Sequence, residues 1–160
     1  MKEKKLIITV WVAGSDKELP EEDRQLIEEA YKATKQAYSP YSKFNVGVAV
    51  VLENGVVIQG SNQENTAFPS GLCAERVAIF YANSQYPDIA IKTMAITSLS
   101  NGKQNNKAVY PCGACRQSMI QSEMRQQKPI RVIMAGSEDI QIVDSIKSLL
   151  PLTFDLEDYR

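Results

Sequence analysis

Three cysteines constrain this chain more than any other feature. Cys112 and Cys115 stand three apart in Tyr-Pro-Cys-Gly-Ala-Cys-Arg, Cys73 sits far upstream in Leu-Cys-Ala-Glu-Arg, and the 160 residues hold no other cysteine and no histidine. Each group opens a segment with helical patterning. At a helix start, a spacing of three puts two side chains on one side of the first turn. Pro111 suits that first turn, and Gly113 leaves open space beside the sulfurs. The unpaired N–H groups of a helix N-terminus point toward the thiols and favour their ionised form. A fold that brings both helix starts together makes a three-thiolate site from distant parts of the chain. Such a set suits zinc, although thiolates also serve other soft metals. A closed structural zinc needs four ligands, and this chain lacks both a fourth cysteine and a histidine. The count therefore points to a catalytic zinc that keeps one position open. A redox pair at Cys112 and Cys115 would leave Cys73 with no role.

The two charged residues beside Cys73 fit the same chemistry. Three thiolates on a zinc dication leave a net charge of −1, which makes a bound water less acidic than neutral ligands would. Arg76 follows on the same turn and can donate to the sulfurs, offsetting that charge. Gln117, two past Cys115, is a further candidate donor. Glu75 lies two residues from a ligand, too close along the helix to reach the same metal, but able to reach a water there. A carboxylate in that place can carry protons, and burial would raise its pKa.

The rest of the chain is globular in character, at 44% hydrophobic and 23% charged residues. Its net charge of −1 lacks the basic footprint of a polynucleotide binder. Three cysteines cannot all pair internally, which suits a reducing compartment, and the cytoplasm is the expected location. The start, Met-Lys-Glu-Lys-Lys-Leu-Ile-Ile-Thr-Val-Trp-Val, has the basic-then-apolar form of a short leader. Its alternating β-branched residues favour a strand within an N-terminal extension of about residues 1–18. The apolar run is far shorter than the ~20 residues of a membrane span.

A first helix is expected after Leu19-Pro20, with Glu21, Glu22 and Asp23 at the positive end of its dipole and Leu26, Ala30, Ala33 and Ala37 on one face. Pro40 is expected to end it by excluding Ser39 from helical geometry. Glu53-Asn54-Gly55 between two β-rich runs signals a hairpin. A helix over 73–83, a strand over 91–99, a polar loop, a helix from Pro111 to about Met124, a strand over 130–136 and a short strand-helix pair follow. The alternation indicates an α/β layered domain with a mixed sheet.

Cys-x-Glu followed by Pro-Cys-x-x-Cys is the signature of zinc deaminases. With "CAER" at 73–76 and "PCGACRQ" at 111–117, the chain resembles the small tetrameric cytidine deaminases. The likeness runs from about Ala37 to Phe154 and includes "SPYSKFNVG" and "SNQENTAFPSGLCAER". The resemblance implies a three-layer α-β-α sandwich around a five-stranded mixed sheet, in one domain spanning 1–160. It implies one zinc per subunit on Cys73, Cys112 and Cys115, with Glu75 as the catalytic proton carrier and Arg76 donating to the sulfurs. Phe44 would pack on the base, Asn62 and Glu64 would hold the ribose 3′-hydroxyl, and the Ala74 N–H would read the pyrimidine edge. A carboxylate at Glu64 would repel a 3′-phosphate, so the substrate is a free nucleoside rather than nucleic acid. The implied reaction is hydrolytic deamination of cytidine and deoxycytidine in pyrimidine salvage, by a homotetramer. Phe154 would reach a neighbouring subunit's site, although "LLPLTF" departs from the family's "LLPGAF" at Leu152 and Thr153. Phe68 stands where the family often has tyrosine, near the same boundary. Other readings are a deaminase for a blasticidin-S-like antibiotic, a polynucleotide-editing deaminase, and a non-catalytic zinc module in which Glu75 has no role.

Overall fold

The computed structural model describes residues 1–156; the last four positions of the expected 1–160 domain lie outside the described residues. Strand β1 (Trp11–Ala13) is followed by helix α1 (Glu21–Thr34), and the hairpin β2 (Phe44–Leu52) and β3 (Val57–Ser61) comes next. Helix α2 (Ala74–Gln85), β4 (Ile91–Ser100), the two-residue β5 (Lys103–Gln104), helix α3 (Gly113–Gln126), β6 (Arg131–Ala135) and β7 (Ile140–Val143) complete the order. The sheet runs β1-β7-β6-β4-β2-β3, with β5 also on β4. It is mixed: β4 and β6 are parallel, and the other pairs are antiparallel. The expected sheet of five strands is thus one of seven, extended by the short β1 and β5.

Strand alternation builds the three layers. Val48, Val50, Met94, Ile96, Val132 and Met134 face one way, into a core with Ala78 and Ile79 of α2 and Met119 and Ile120 of α3. Ala49, Ala95, Ile133 and Ala135 face the other way, against Leu26, Ile27 and Ala30 of α1. Helix α1 therefore covers one face, and α2 and α3 cover the other. A half-buried ion pair ties α1 to β6, with Arg131 Nη1 and Nη2 donating to Asp23 Oδ1 and Oδ2 at 2.6 and 2.8 Å.

Two expectations need correction. The apolar N-terminal run was expected to be strand, but only Trp11–Ala13 pairs, with β7, and residues 1–10 belong to no element. Helix α1 ends at Thr34, short of Ala37 and Pro40. Its last turn tightens through Lys35 N to Lys32 O and Gln36 N to Ala33 O, and the Asn45 amide caps the Thr34 carbonyl at 3.0 Å. A side chain from β2 thus takes over the carbonyl that another helical turn would use. The hairpin matches its signal, with Gly55 at φ 83° in the turn.

Candidate metal centre

The helix starts expected to carry the cysteines form the same structure twice. Cys73 is the N-cap of α2 at φ −71°, ψ 152°, and Cys112 is the N-cap of α3 at φ −67°, ψ 167°. Neither side chain caps its own helix, so both sulfurs are free to face outward from the N-termini. Three residues on from each cap, α3 carries Cys115 and α2 carries Arg76. The two turns thus present two thiols and a thiol plus a guanidinium.

Cys73, Cys112 and Cys115 converge, their sulfurs all within 4.8 Å of one another, and they are the one cluster of potential ligands among the described residues. Cys112 Sγ and Cys115 Sγ lie 3.5 Å apart. Zinc–sulfur bonds near 2.3 Å in a tetrahedron need sulfurs about 3.8 Å apart. The donor type and the spacing both fit zinc. No cysteine is in a disulfide.

Electrostatics distinguish Cys73 from Cys115. The Cys115 thiol donates to Cys73, and with Arg76 it pulls Cys73 down to about 5 despite burial. The same contact and burial push Cys115 upward, so between these two the negative charge settles on Cys73. Arg76 Nη2 donates to Cys73 Sγ at 3.7 Å, and that contact raises the guanidinium's own pKa. Glu75 is 5% exposed; burial, chiefly, raises its carboxyl above the ordinary range, with the Cys73 charge adding and the Cys115 thiol opposing. Ala74 is fully buried between them.

A glycine that sequence reasoning passed over sets where this helix start sits. A Cβ on Gly60 of β3 would lie 2.6 Å from the Ala74 carbonyl and 2.7 Å from the Ala78 N. Only a glycine lets α2 rest its first turn directly on the sheet. Arg116 was likewise missed. Its Nε donates to the Pro111 carbonyl at 2.9 Å and its Nη1 to Leu149 O at 3.0 Å, fixing the approach to Cys112. The only available signal was an arginine adjoining a ligand.

The remaining predicted residues fall into two groups. Asn62 and Glu64 both reach toward the 41–46 stretch. The Asn62 amide donates to Phe44 O at 2.9 Å and accepts from Val46 N at 2.7 Å. Glu64 Oε2 accepts from Tyr41 N at 2.9 Å and Ser42 N at 3.3 Å, and the Ser42 hydroxyl, chiefly, holds its pKa low. Phe44 is half-buried at the start of β2. Farther along, the Gln117 amide donates to the Phe154 carbonyl at 3.3 Å, so it bonds the C-terminal segment rather than a sulfur. Phe68 and Phe154 are 77% and 60% exposed, and Phe68 meets the Tyr41 ring edge-on at 6.0 Å.

Comparison with known proteins agrees with this geometry. Residues 20–128 match the family described as the cytidine and deoxycytidylate deaminase zinc-binding region. A cytidine deaminase of Halalkalibacterium halodurans is 40% identical over 139 residues, covering 85% of this chain and 97% of that one. One from Sporosarcina psychrophila is 39% identical, over 84% and 92% of the two chains. The crystal structure of a cytidine deaminase from Burkholderia pseudomallei superposes with a TM-score of 0.70 at 34% identity, covering 81% of this chain and 97% of that one. The chain belongs to the cytidine and deoxycytidylate deaminase family, whose zinc-binding region carries the three thiols found here.

Proposed function

We propose that this protein hydrolyses cytidine, with deoxycytidine as a second substrate, to uridine or deoxyuridine and ammonia. The observation that carries this reading is the convergence of Cys73, Cys112 and Cys115 beside a buried Glu75. The relatives' names support cytidine over an antibiotic nucleoside. Zinc held by the three thiolates would act as a Lewis acid that makes a water acidic near neutral pH. Glu75 takes a proton from the attacking water and delivers it to ring nitrogen 3 of the pyrimidine. It then helps protonate the amine that leaves carbon 4, so one water enters and one ammonia departs. Burial suits Glu75 to this work, since a carboxyl whose pKa is raised by desolvation is a better proton acceptor than an exposed one. Arg76 holds the Cys73 sulfur and offsets the extra negative charge of a third thiolate.

The substrate contacts follow the same reading. Phe44 packs on the base, and the Ala74 N–H reads its edge. Asn62 and Glu64 hold the ribose 3′-hydroxyl, and the Asn62 bonds to the β2 backbone fix Phe44 in place at the same time. Gln117 sits behind the site and steadies the C-terminal segment. We read the chain as one domain acting as a homotetramer, with the exposed Phe68 and Phe154 meeting neighbouring subunits. Its place is pyrimidine salvage in the cytoplasm, where free thiols persist. Among the described residues no helix is long and apolar enough to cross a membrane.

The test is the ultraviolet absorbance change of cytidine with the purified protein, with ammonia counted in parallel. Stoichiometric loss of cytidine that a chelator stops and zinc restores is expected. No change at saturating cytidine with zinc bound would refute the assignment.

A further inference from the structure

Residues 1–10 lead into β1 at the end of the sheet, ahead of the family match that begins at residue 20. Together with β1 they carry the most exposed apolar stretch among the described residues outside the C-terminal segment: Leu6 is 48% exposed, Ile7 92%, Ile8 44%, Val10 41%, Trp11 58% and Val12 69%. Among the described residues, no backbone hydrogen bond involves residues 1–10. Strand β1 pairs with β7 along one side only, and its other side is open. Residues 6–13 contain no proline, glycine or charge, the features that usually guard an edge strand. An unguarded apolar edge of this kind is a template for another strand.

The charges at its two ends say which strand. Lys2, Lys4 and Lys5 precede the apolar run, and Asp16 and Glu18 follow it. We propose that β1 and residues 6–10 pair antiparallel with the same segment of a second copy, about a two-fold axis at Val10. Val10 then faces Val10, and Ile8 faces Val12. At the ends Lys4 faces Asp16, Glu3 faces Lys17 and Lys2 faces Glu18, three opposite-charge pairs in succession. A shift of one residue either way spoils all of them. One direction sets Lys2 on Lys17 and Glu3 on Asp16; the other sets Glu3 on Glu18 and Lys4 on Lys17 and keeps a single opposite-charge pair, Lys5 on Asp16, against three in the proposed register. Parallel pairing would stack the basic ends together. Asp16–Glu18 form a 3-10 turn, so these end charges meet as neighbours rather than as rungs of the ladder. The two seven-stranded sheets then join into one continuous sheet, an isologous contact that removes both open edges. This inference is independent of the reaction proposed above.

Cysteine cross-linking of the full-length protein tests it. In this register Val10→Cys places a thiol against its own copy at a separation a disulfide can span. Ile7→Cys faces Ala13 and cannot pair with itself. With oxidised glutathione as oxidant, Val10→Cys is expected to give a covalent dimer at a rate independent of protein concentration, while Ile7→Cys and the native chain do not. No dimer, a rate that rises with concentration, or equal cross-linking of Ile7→Cys would overturn the pairing. Amide hydrogen exchange gives a second reading without oxidation. Alternate amides of residues 6–10, which have no partner in β7, should be protected on the order of a hundredfold in the native protein, and Val10→Pro should abolish that protection. Free exchange of this segment in the native protein, or protection that arises only on adding anionic phospholipid vesicles, would contradict a second copy as the partner.

Discussion

At the scale of single residues, α2 and α3 open with the same N-cap cysteine and then differ at one position. Arg76 stands in α2 where Cys115 stands in α3, so the site gains a cation where a fourth thiolate would have closed it. That exchange separates a metal centre with an open position from a structural one. Arg76→Ala should keep one zinc per chain but lower kcat by about 10- to 100-fold, because the bound water loses acidity. Unchanged kcat at matched zinc content would show that the guanidinium does not balance the thiolate charge. Asn62 has two jobs in the account. Asn62→Ala should cost about 1–2 kcal/mol through its two lost bonds to β2 and raise KM for cytidine more than it lowers kcat. Thermal melts and steady-state kinetics read the two effects separately.

At the scale of elements, two glycines let helices sit directly on the sheet, one on each face. A Cβ on Gly60 would strike the first turn of α2, and one on Gly47 would lie 2.1 Å from the Ala30 carbonyl in α1. Both substitutions overpack, at about 1–3 kcal/mol or more each. Their effects on the metal should differ. Gly60→Ala is expected to push Cys73 away from Cys112 and Cys115 and weaken zinc binding by at least about tenfold. Gly47→Ala should destabilise the fold while leaving zinc affinity of the folded protein intact. Equal zinc affinity in both variants, measured by competition with a chelator, would detach Gly60 from the site. Neither glycine announced itself in the sequence, since a glycine in a strand looks alike whether a helix crosses it or not. The elements that sequence did reveal had local causes, such as the Asn54-Gly55 turn and the acidic start of α1. The ends that misled were set from elsewhere. Asn45, in the strand that follows, caps the last carbonyl of α1, and β1 pairs only with Ile140, Gln141 and Ile142 of β7.

At the scale of the whole molecule, the sheet is the device that brings distant residues together. The metal site was legible because its chemistry resides in residue types: three thiols, a glutamate and an arginine in two short motifs. The contact between α1 and the sheet was not, since Asp23 and Arg131 are 108 positions apart and either reads alone as a surface charge. Asp23→Ala leaves Arg131 without its partner in a half-buried place, at a cost of about 2 kcal/mol. A Tm lower by about 4–8 °C is expected, with the zinc content of the folded protein unchanged. No change in Tm would mean that solvent satisfies Arg131 as well as Asp23 does. The central claim is that a buried glutamate moves protons beside a three-thiolate zinc. Its most direct test is cytidine turnover by zinc-loaded Glu75→Gln, which keeps the size of the side chain and removes its acid–base function. The account predicts native zinc content, a native fold and a kcat reduced by about 100-fold or more. A Glu75→Gln enzyme that deaminates cytidine at near-native rate would contradict it.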